Sequence, residues 1–297
     1  MTDVHKGDGA MEQKLETFLA LCRTMHYGRA AEQLNLSQPA VSKHIQALES
    51  QYGATLFTYS GRRLQKTWQG ELLEQYAESL RYNEEELLSR LHEKPRTRLR
   101  VGATKSVGKY VLLPQIRRFL AAPENRLEFL VDNTAHLLTL LNRGEMDFVI
   151  LEGIFDKQHY SWLPFRQEAY IGICPAAHRF AGREVPLEEL FGERLILREQ
   201  GSGTRDILER GLVSEGYTLA AFANQVLISS SDIIRTLVRE GCGISFLYES
   251  VVRGDAELGR FSCPPLTGTH AFNAVFLKNT DAEVTARRFL FGSGRAR

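Results

Sequence analysis

The stretch SQPAVSKHIQALE, residues 37–49, decides the fold of the N-terminal region. Its first serine is a good helix N-cap, and the proline lies in the first turn, where the missing N–H costs nothing. At about 100° per residue, three apolar side chains share one buried face: Val41, Ile45 and Leu48. The other face carries hydroxyl, amide and ammonium groups that suit base edges and phosphates in a DNA major groove. The side chains predicted to contact DNA from this helix are Ser37, Gln38, Pro39, Ser42, Lys43 and Gln46.

The residues before this stretch predict two further helices. Apolar side chains recur from Leu15 to Met25 at helical spacing. Gly28 is expected to break that pattern, and residues 29–34 read as a short second helix whose two alanines let another helix approach closely. Residues 37–49 taken alone are compatible with an ordinary solvated helix. The short helix before them and the basic segment after them favour a DNA-binding helix-turn-helix instead.

The residues after it predict a β-hairpin. Residues 55–59 and 62–67 read as two strands, joined by a turn at Ser60 and Gly61. Such a hairpin forms a wing that grips the DNA backbone or a narrow minor groove. Its predicted DNA-contacting residues are Arg62, Arg63 and Lys66.

Charge is distributed unevenly, although the formal net charge is only +1. Residues 18–67 hold six bases and two acids, whereas residues 68–94 hold three bases and seven acids. A polyanion is therefore expected to be attracted to the first segment and repelled by the second.

The spacing of these motifs resembles the LysR-type transcriptional regulators. The pattern is F18-x(11)-AA-x(2)-L-x(2)-SQPAVSKHIQALE-x(3)-G-x(2)-LF, followed by GRR-x(3)-T-x(2)-G. Two positions depart from it, because Tyr59 stands where the family usually has Arg and Trp68 where Pro often opens the next helix. The first departure concerns one backbone contact or a wing salt bridge, and not the fold.

Residues 68–92 predict a long helix, because they contain no Gly beyond Gly70 and the next Pro is Pro95. A leucine-rich stripe along this helix needs a partner. Packing on its own domain is one possibility. The resemblance implies antiparallel pairing of two subunits, which sets two recognition helices against a dyad-symmetric DNA site. Residues 94–97 are expected to form a hinge.

The C-terminal part predicts an α/β fold with mainly parallel sheets and two lobes. Strands are expected at residues 99–103, 127–131, 148–151, 170–174, 195–197, 223–228, 244–247 and 272–276, with crossover hinges near 165–170 and 264–270. The resemblance, which extends over nearly the whole chain after residue 11, implies a domain built like a periplasmic solute-binding protein with the ligand between its lobes.

The predicted fold class is therefore a multidomain α+β protein, with a winged helix-turn-helix, a linker helix and a two-lobed α/β effector domain. The predicted boundaries are 11–67 for the DNA-binding domain, 68–96 for the linker helix and hinge, and 97–297 for the effector domain. Lobe 1 covers about 97–166 and 270–297, and lobe 2 about 167–269.

Four segments that follow predicted strands are candidate parts of an effector site, since helix N-termini there present free N–H groups. The predicted effector-binding residues are Thr104, Ser106, Asn133, Thr134, Gly201, Ser202, Gly203, Thr204 and Ser231. Each segment taken singly is also compatible with a plain helix cap. The resemblance implies a small carboxylate, a sulfate-like ion or a phosphorylated metabolite as effector. The phrases ILEG (150–153) and LREQGSGTR (197–205) resemble the branch linked to sulfur assimilation and carbon fixation.

Several other classes of protein are disfavoured. No apolar run approaches the roughly 20 residues that cross a bilayer, and the first ten residues lack a signal-peptide core, so a cytoplasmic protein without membrane contact is expected. The four cysteines form no CxxC pair, which favours buried thiols over a metal or redox site; a disulfide sensor remains open. No catalytic motif is recognisable, and an enzyme or solute-binding module is the less favoured alternative.

The expected partners are dyad-symmetric double-stranded DNA, further copies of the chain as a dimer or tetramer, and RNA polymerase. No cofactor is expected beyond the effector. The sequence leaves open the identity of the effector, the target genes and the sign of regulation.

Overall fold

The computed structural model describes residues 5–91, 98–152 and 155–292. The predicted hinge at 94–97 lies outside these residues. Within the chain, contacts separate two compact units that meet in sequence near residue 93.

The first unit is a winged helix-turn-helix followed by a long helix. Its elements are α1 (His5–Thr24), α2 (Tyr27–Leu34), α3 (Gln38–Tyr52), β1 (Phe57–Ser60), β2 (Arg63–Lys66) and α4 (Trp68–Leu91). The predicted helices and the hairpin are thus confirmed. The role given to Gly28 is wrong, since it lies inside α2. The chain instead turns at Met25 (φ 48°), and the His26 ring caps α2 by accepting hydrogen bonds from the N–H groups of Gly28 and Arg29.

One apolar core joins all four helices of this unit. Its fully buried members include Phe18, Leu21, Val41, Ile45 and Leu48, and Leu73 and Ala77 from α4 pack against the same cluster. Burying a side chain of this size contributes roughly 1.5–3 kcal/mol. The α2 alanines lie in this core, so the close helix approach that they predicted is confirmed.

Glu49 and Gly70 fix the hairpin against this core. The Glu49 Oε1 accepts a hydrogen bond of 2.8 Å from the N–H of Leu56, the residue before β1. A Cβ on Gly70 would lie 2.3 Å from the Leu56 carbonyl oxygen, so no larger residue fits there without a backbone shift. The motif glycine and glutamate thereby position the wing next to α3.

The second unit alternates strands and helices. Its strands are β3 (Arg98–Thr104), β4 (Arg126–Asp132), β5 (Phe148–Leu151), β6 (Tyr160–Pro175), β7 (Arg194–Leu197), β8 (Asn224–Leu227), β9 (Ser245–Tyr248), β10 (Leu258–Phe261) and β11 (Gly268–Leu277). Its helices are α5 (Lys105–Tyr110), α6 (Leu113–Phe119), α7 (Thr134–Asn142), α8 (Leu187–Leu190), α9 (Gly203–Ser214), α10 (Ser231–Arg239), α11 (Glu249–Val252) and α12 (Ala282–Phe291), with a 3-10 turn at Leu219–Ala221. All eight predicted strands are present, and β10 was not predicted.

The main sheet has the order β10-β6-β11-β5-β3-β4, with β9 also paired to β6, while β7 and β8 form a second pair. Only β3–β4, β3–β5 and β7–β8 pair in parallel among these strands, and the other pairs are antiparallel. The expectation of mainly parallel sheets is therefore wrong. The reason is that two long neighbouring strands, β6 and β11, run through both ends of the unit in opposite directions.

The long strands β6 and β11 supply the crossover between the ends of this unit. Their register shifts between Phe272 and Asn273, which pair with Arg166 and Pro164, so that Phe165 is the extra residue of a bulge. The first predicted hinge, 165–170, thus lies within β6, and the second, 264–270, overlaps the start of β11. We call the end that contains β3, β4 and β5 lobe 1, and the end that contains β7, β8, β9 and β10 lobe 2.

Candidate nucleic-acid interface and effector site

The polar face of α3 is exposed as its periodicity requires. Gln38, Pro39, Lys43 and Gln46 are exposed and Ser42 is half-buried, whereas the opposite stripe lies in the core. Ser37 serves as N-cap, since its Oγ accepts a hydrogen bond of 3.3 Å from the N–H of Ala40. The helix therefore presents a ridge of short polar groups and one ammonium, a surface that fits a DNA major groove.

The wing places two arginines at its tip. Ser60 pairs with Arg63, and Gly61 (φ 62°) begins the two-residue turn between the strands. Arg62 and Arg63 are both exposed. Lys66 differs from them, because its ammonium forms an ion pair with the buried Glu74 of α4.

Ion pairs within the first unit change what its charge distribution implies about DNA, because some acids of α4 pair with bases of the helix-turn-helix and the wing. Glu74 binds Lys66, and Glu78, which is buried, binds Arg23 at 3.5 Å. Burial raises the pKa of Glu78, an effect that Arg81 and Arg23 partly offset. Two of the acids in residues 68–94 thus neutralise bases of the DNA-binding module instead of repelling DNA.

Four cations of this unit remain exposed and form no ion pair among the described residues: Arg29, Lys43, Arg62 and Arg63. Arg29 on α2 was not among the predicted DNA contacts. The signal available in the sequence was its place among the six bases of residues 18–67.

Helix α4 has two apolar sides. Leu73 and Ala77 pack into the core of the first unit, so the alternative of packing on its own domain is correct for that side. A second stripe is bare within the described chain: Leu72 is 60% exposed, Leu80 42%, Leu87 55% and Leu91 67%. A stripe of exposed leucines along one helical line is typical of a surface that binds a partner.

The candidate effector site of the second unit is organised around Glu152, which follows β5. Only 1% of this residue is exposed. Its Oε1 accepts hydrogen bonds from Thr204 Oγ1 at 2.8 Å and from Ser106 Oγ at 3.3 Å. Burial raises the pKa of the Glu152 carboxyl, although the hydrogen bond from Thr204 and the nearby charge of Arg198 lower it in part.

Several buried polar atoms at this place have no hydrogen-bond partner among the described residues. They are the second carboxyl oxygen, Oε2, of Glu152 and the side-chain hydroxyls of Thr104, Thr134 and Ser202. Buried polar groups are normally paired, and each unpaired one costs about 1–3 kcal/mol. Such a group of orphans therefore indicates a place where a polar ligand completes the hydrogen bonding.

The loop before α9 brings lobe 2 onto this edge of lobe 1. A Cβ on Gly203 would lie 2.5 Å from the Glu152 carbonyl oxygen, and one on Gly201 would lie 3.5 Å from the Ala135 Cβ. Gly201 also has the left-handed backbone (φ 82°) that favours glycine. Gly203 thus lets the N-terminus of α9 approach the end of β5 closely, and Gly201 permits the left-handed turn that precedes it.

A charged group lies beside the hydroxyls. Arg198, at the end of β7, is buried and donates to Glu199 Oε2 at 2.8 Å and to Ser231 Oγ at 3.1 Å. Lys105 of α5 donates to Glu199 Oε1 at 2.8 Å. Partial burial opposes ionisation of Glu199, but the hydrogen bonds from Arg198 and Lys105 outweigh it and hold its pKa below the usual value.

The structure brings most of the predicted effector residues near one another. Ser106 and Thr204 share Glu152, and Ser231 joins through Arg198. The Thr104 hydroxyl lies near enough to the Glu152 carboxyl to lower its pKa as a hydrogen-bond donor would, but its geometry in this structure does not complete that hydrogen bond. Asn133 acts as a cap, its Oδ1 accepting from the N–H of His136 at 2.9 Å. For Asn133, the plain-cap alternative describes what its side chain does in this structure.

Glu152, Arg198 and Glu199 were not predicted as site residues. Glu152 and Arg198 each directly follow a predicted apolar strand, a position that marks the strand end but does not show whether the side chain is buried or paired. The roles of Arg198 and Glu199 depend on Lys105 and Ser231, which are distant in sequence.

All four cysteines, which lie within the described residues, are free thiols. Cys22, Cys174 and Cys263 are buried, and burial raises the pKa of Cys174 and of Cys263 to about 11. Protonated, buried thiols react slowly. The described residues also contain no group of three metal-binding side chains, and none of their helices is long and apolar enough to span a membrane.

Comparison with known families matches both units. The family described as "Bacterial regulatory helix-turn-helix protein, lysR family" matches residues 13–71, and the "LysR substrate binding domain" matches residues 92–290. The HTH-type transcriptional regulator CysL of Bacillus subtilis is 30% identical over 246 residues, which cover 81% of each chain.

Solved structures share the fold. Full-length OxyR of Pseudomonas aeruginosa, solved with one cysteine replaced by aspartate, has a TM-score of 0.66 at 24% identity and covers 95% of this chain and 93% of its own. The regulatory domain of CcmR from Synechocystis PCC6803, solved in complex with 2-PG, has a TM-score of 0.57 at 20% identity and covers 65% of this chain and 95% of its own.

Proposed function

The chain belongs to the LysR family of DNA-binding transcriptional regulators with an effector-binding domain, and on that premise we propose that its effector is a small oxyanion bound between the two lobes of the second unit. The observation that carries this proposal is the set of buried, unpaired hydroxyls of Thr104, Thr134 and Ser202 beside Glu152. Hydroxyl groups donate well to oxyanions, and an oxyanion offers enough acceptors to satisfy several of them at once. The 2-PG held by the CcmR regulatory domain belongs to this chemical class and makes a suitable first probe.

The DNA-binding part of the proposal concerns symmetry. We propose that two chains pair through the exposed leucine stripe of α4 and present two α3 helices to an interrupted palindrome. In this arrangement Gln38, Ser42, Lys43 and Gln46 read the major groove, and Arg62 and Arg63 hold the flanking backbone. Lys66 contributes less, because Glu74 already neutralises it.

The link between the two sites is differential affinity. An effector that binds one arrangement of the oligomer more tightly shifts the population toward it, and hence changes the spacing of the recognition helices and the bend of the DNA. Assembly into a tetramer, contact with RNA polymerase, a cytoplasmic location and membership of the branch linked to sulfur assimilation and carbon fixation complete the proposal.

The test of the effector site uses the full-length chain in a thermal-shift screen with sulfate, inorganic phosphate, 2-PG and simple carboxylates. At least one oxyanion is expected to raise the melting temperature in proportion to the logarithm of its concentration. Thr104→Val is expected to abolish that shift, since it removes a hydroxyl with no partner in the described chain. Thr139→Val, the same change at an exposed position of α7, is the control and should retain it.

Gel-shift assays on the DNA upstream of the gene complete this test. Specific, salt-sensitive binding is expected from both threonine variants. If no oxyanion stabilises the wild-type chain, or if Thr104→Val responds like wild type, the effector proposal is wrong even though DNA binding persists.

A further inference from the structure

The buried carboxyl of Glu152 is an unusual group to find beside an oxyanion site, because an ionised carboxylate repels an anion. Its two oxygens are in different situations. Oε1 accepts two hydrogen bonds, from Thr204 and Ser106, whereas Oε2 has no partner among the described residues. The site is thus asymmetric at the level of single atoms.

We propose that Glu152 donates a hydrogen bond from Oε2 to the effector, so that each effector anion binds together with one proton held at this carboxyl. This inference rests on the proposed function and deepens it. In this arrangement Oε1 still accepts hydrogen bonds from Thr204 and Ser106, and the O–H group formed at Oε2 points toward the ligand. The unpaired hydroxyls of Thr104, Thr134 and Ser202 supply the other hydrogen bonds to it.

Hydrogen-bond accounting supports this assignment. An ionised carboxylate would bury a negative charge with one oxygen unsolvated, which is costly. A protonated carboxyl buries no charge, and it has an O–H donor ready for an acceptor. The raised pKa of Glu152, which burial causes, agrees with the geometry.

Arg198 is the cation whose charge lowers the pKa of Glu152, but it offsets the effect of burial only in part. Arg198 approaches from β7, but its guanidinium is already paired with Glu199, which Lys105 of α5 also binds. Tyr170 of β6 and Tyr248 of β9 also face it, and their pKa values are raised, first by burial and then by Glu152. Both phenols therefore stay neutral and add no charge.

The sign of the pH dependence follows from this. The protonated form of Glu152 is the one that binds, so affinity is highest below the pKa of Glu152 in the free folded protein. Above that pKa each binding event must take up one proton, and the affinity falls by up to about tenfold per pH unit. If Glu152 stayed ionised in the complex, anion affinity would rise with pH or would not depend on it.

The test is isothermal titration calorimetry on the full-length chain with sulfate and oxalate, neither of which carries a proton above about pH 6. The dissociation constant is expected to rise with pH above the pKa of Glu152 in the free protein, which burial holds above the ordinary value of 4.5. In the pH range where it rises, the heat of binding should change with the ionisation enthalpy of the buffer by an amount that corresponds to the uptake of up to one proton.

Glu152→Gln separates this inference from a general effect of pH. The glutamine keeps a carbonyl oxygen for Thr204 and Ser106 and offers a permanent N–H donor in place of Oε2. Anion affinity should become independent of pH and, at about pH 8, should equal or exceed that of wild type. Glu209→Gln, the same change on α9 at a residue that binds Arg205, is the control and should keep the wild-type slope.

Three results would overturn the inference. They are binding without proton uptake, loss of anion binding in Glu152→Gln, and a pH slope that survives in Glu152→Gln, which would assign the proton to another group. If neither sulfate, oxalate nor any other oxyanion binds the wild-type chain, the proposed function itself fails and the inference falls with it. If anions bind with no proton uptake, only the inference fails.

Discussion

The α3 face and the Glu152 site show two ways in which a chain builds a binding surface. The α3 face takes all its polar groups from one run of ten residues, 37–46, on a helix whose other face is buried. The Glu152 site takes its groups from β3, α5, α7, β5, β7 and the start of α9, which are separated by up to about a hundred residues in sequence. The α3 face forms as soon as that one helix packs on its core, whereas the Glu152 site forms only when both lobes of the second unit are folded together.

This difference has a consequence for substitutions. A change on α3 removes one group from a surface that the rest of the helix still defines. A change at the Glu152 site acts through hydrogen bonds that cross between elements, so it alters binding and stability together when the bond is made within the chain. The two surfaces therefore respond to mutation differently.

The largest effect on DNA affinity is expected from disrupting the leucine stripe of α4. In the proposed dimer this stripe pairs the two chains and so presents two α3 faces to the DNA. The double change Leu80→Glu and Leu87→Glu should convert the oligomer into monomers and weaken binding to a dyad-symmetric site by about 100-fold or more, because the second half-site contact is no longer intramolecular. Analytical ultracentrifugation and gel shifts measure both effects.

Leu120→Glu is the matched control, since Leu120 is a leucine of the second unit that is also half exposed. It should leave the oligomer and DNA affinity unchanged. An oligomer that survives the double change would place the subunit contact elsewhere.

The next effect concerns the α3 face itself. Lys43→Ala should cost about 1–3 kcal/mol of DNA affinity and relax specificity at one base pair, if its ammonium contacts a base edge. Arg62→Ala at the wing tip should weaken binding equally on all sequences and reduce the salt dependence by about one unit of slope. Footprinting and salt titrations on matched and mismatched sites distinguish the two. Equal losses on every site for Lys43→Ala would make it a backbone contact instead.

The smallest effect compares two threonines at the Glu152 site. Thr204→Val removes a hydrogen bond to Glu152 and should lower the free energy of unfolding by about 0.5–1.5 kcal/mol. Thr104→Val removes a hydroxyl with no partner in the described chain and should leave that free energy unchanged or raise it. Both should impair the response to the effector. Urea denaturation without effector measures the contrast, and equal losses of stability would show that Thr104 is paired in the free protein.

Prediction from the sequence was most complete where structure is local. The helices α2, α3 and α4 and the wing were predicted because periodicity, a serine cap and a glycine turn act over a few residues. The same logic misplaced the start of α2, because the cap is a histidine side chain, His26, which is not among the common capping residues.

Prediction was less complete where distant segments meet. The strands were predicted, but their mainly parallel arrangement was wrong, since sheet order depends on which strands cross between lobes. Hydroxyls at strand ends pointed to an effector site, yet Glu152 and Arg198 were missed, because a charged residue next to a strand end gives no sign of whether it is buried or paired.

The sequence by itself determined the family, the helix-turn-helix, the wing and the long helix α4 with its leucine stripe, because each depends on side-chain spacing along a short stretch of chain. Only the tertiary structure decided which acids neutralise which bases, as in the pairing of Glu74 with Lys66, and which polar atoms are buried without partners around Glu152. The physical reason is that desolvation and hydrogen-bond satisfaction depend on what surrounds an atom in space, and distant parts of the chain supply those surroundings.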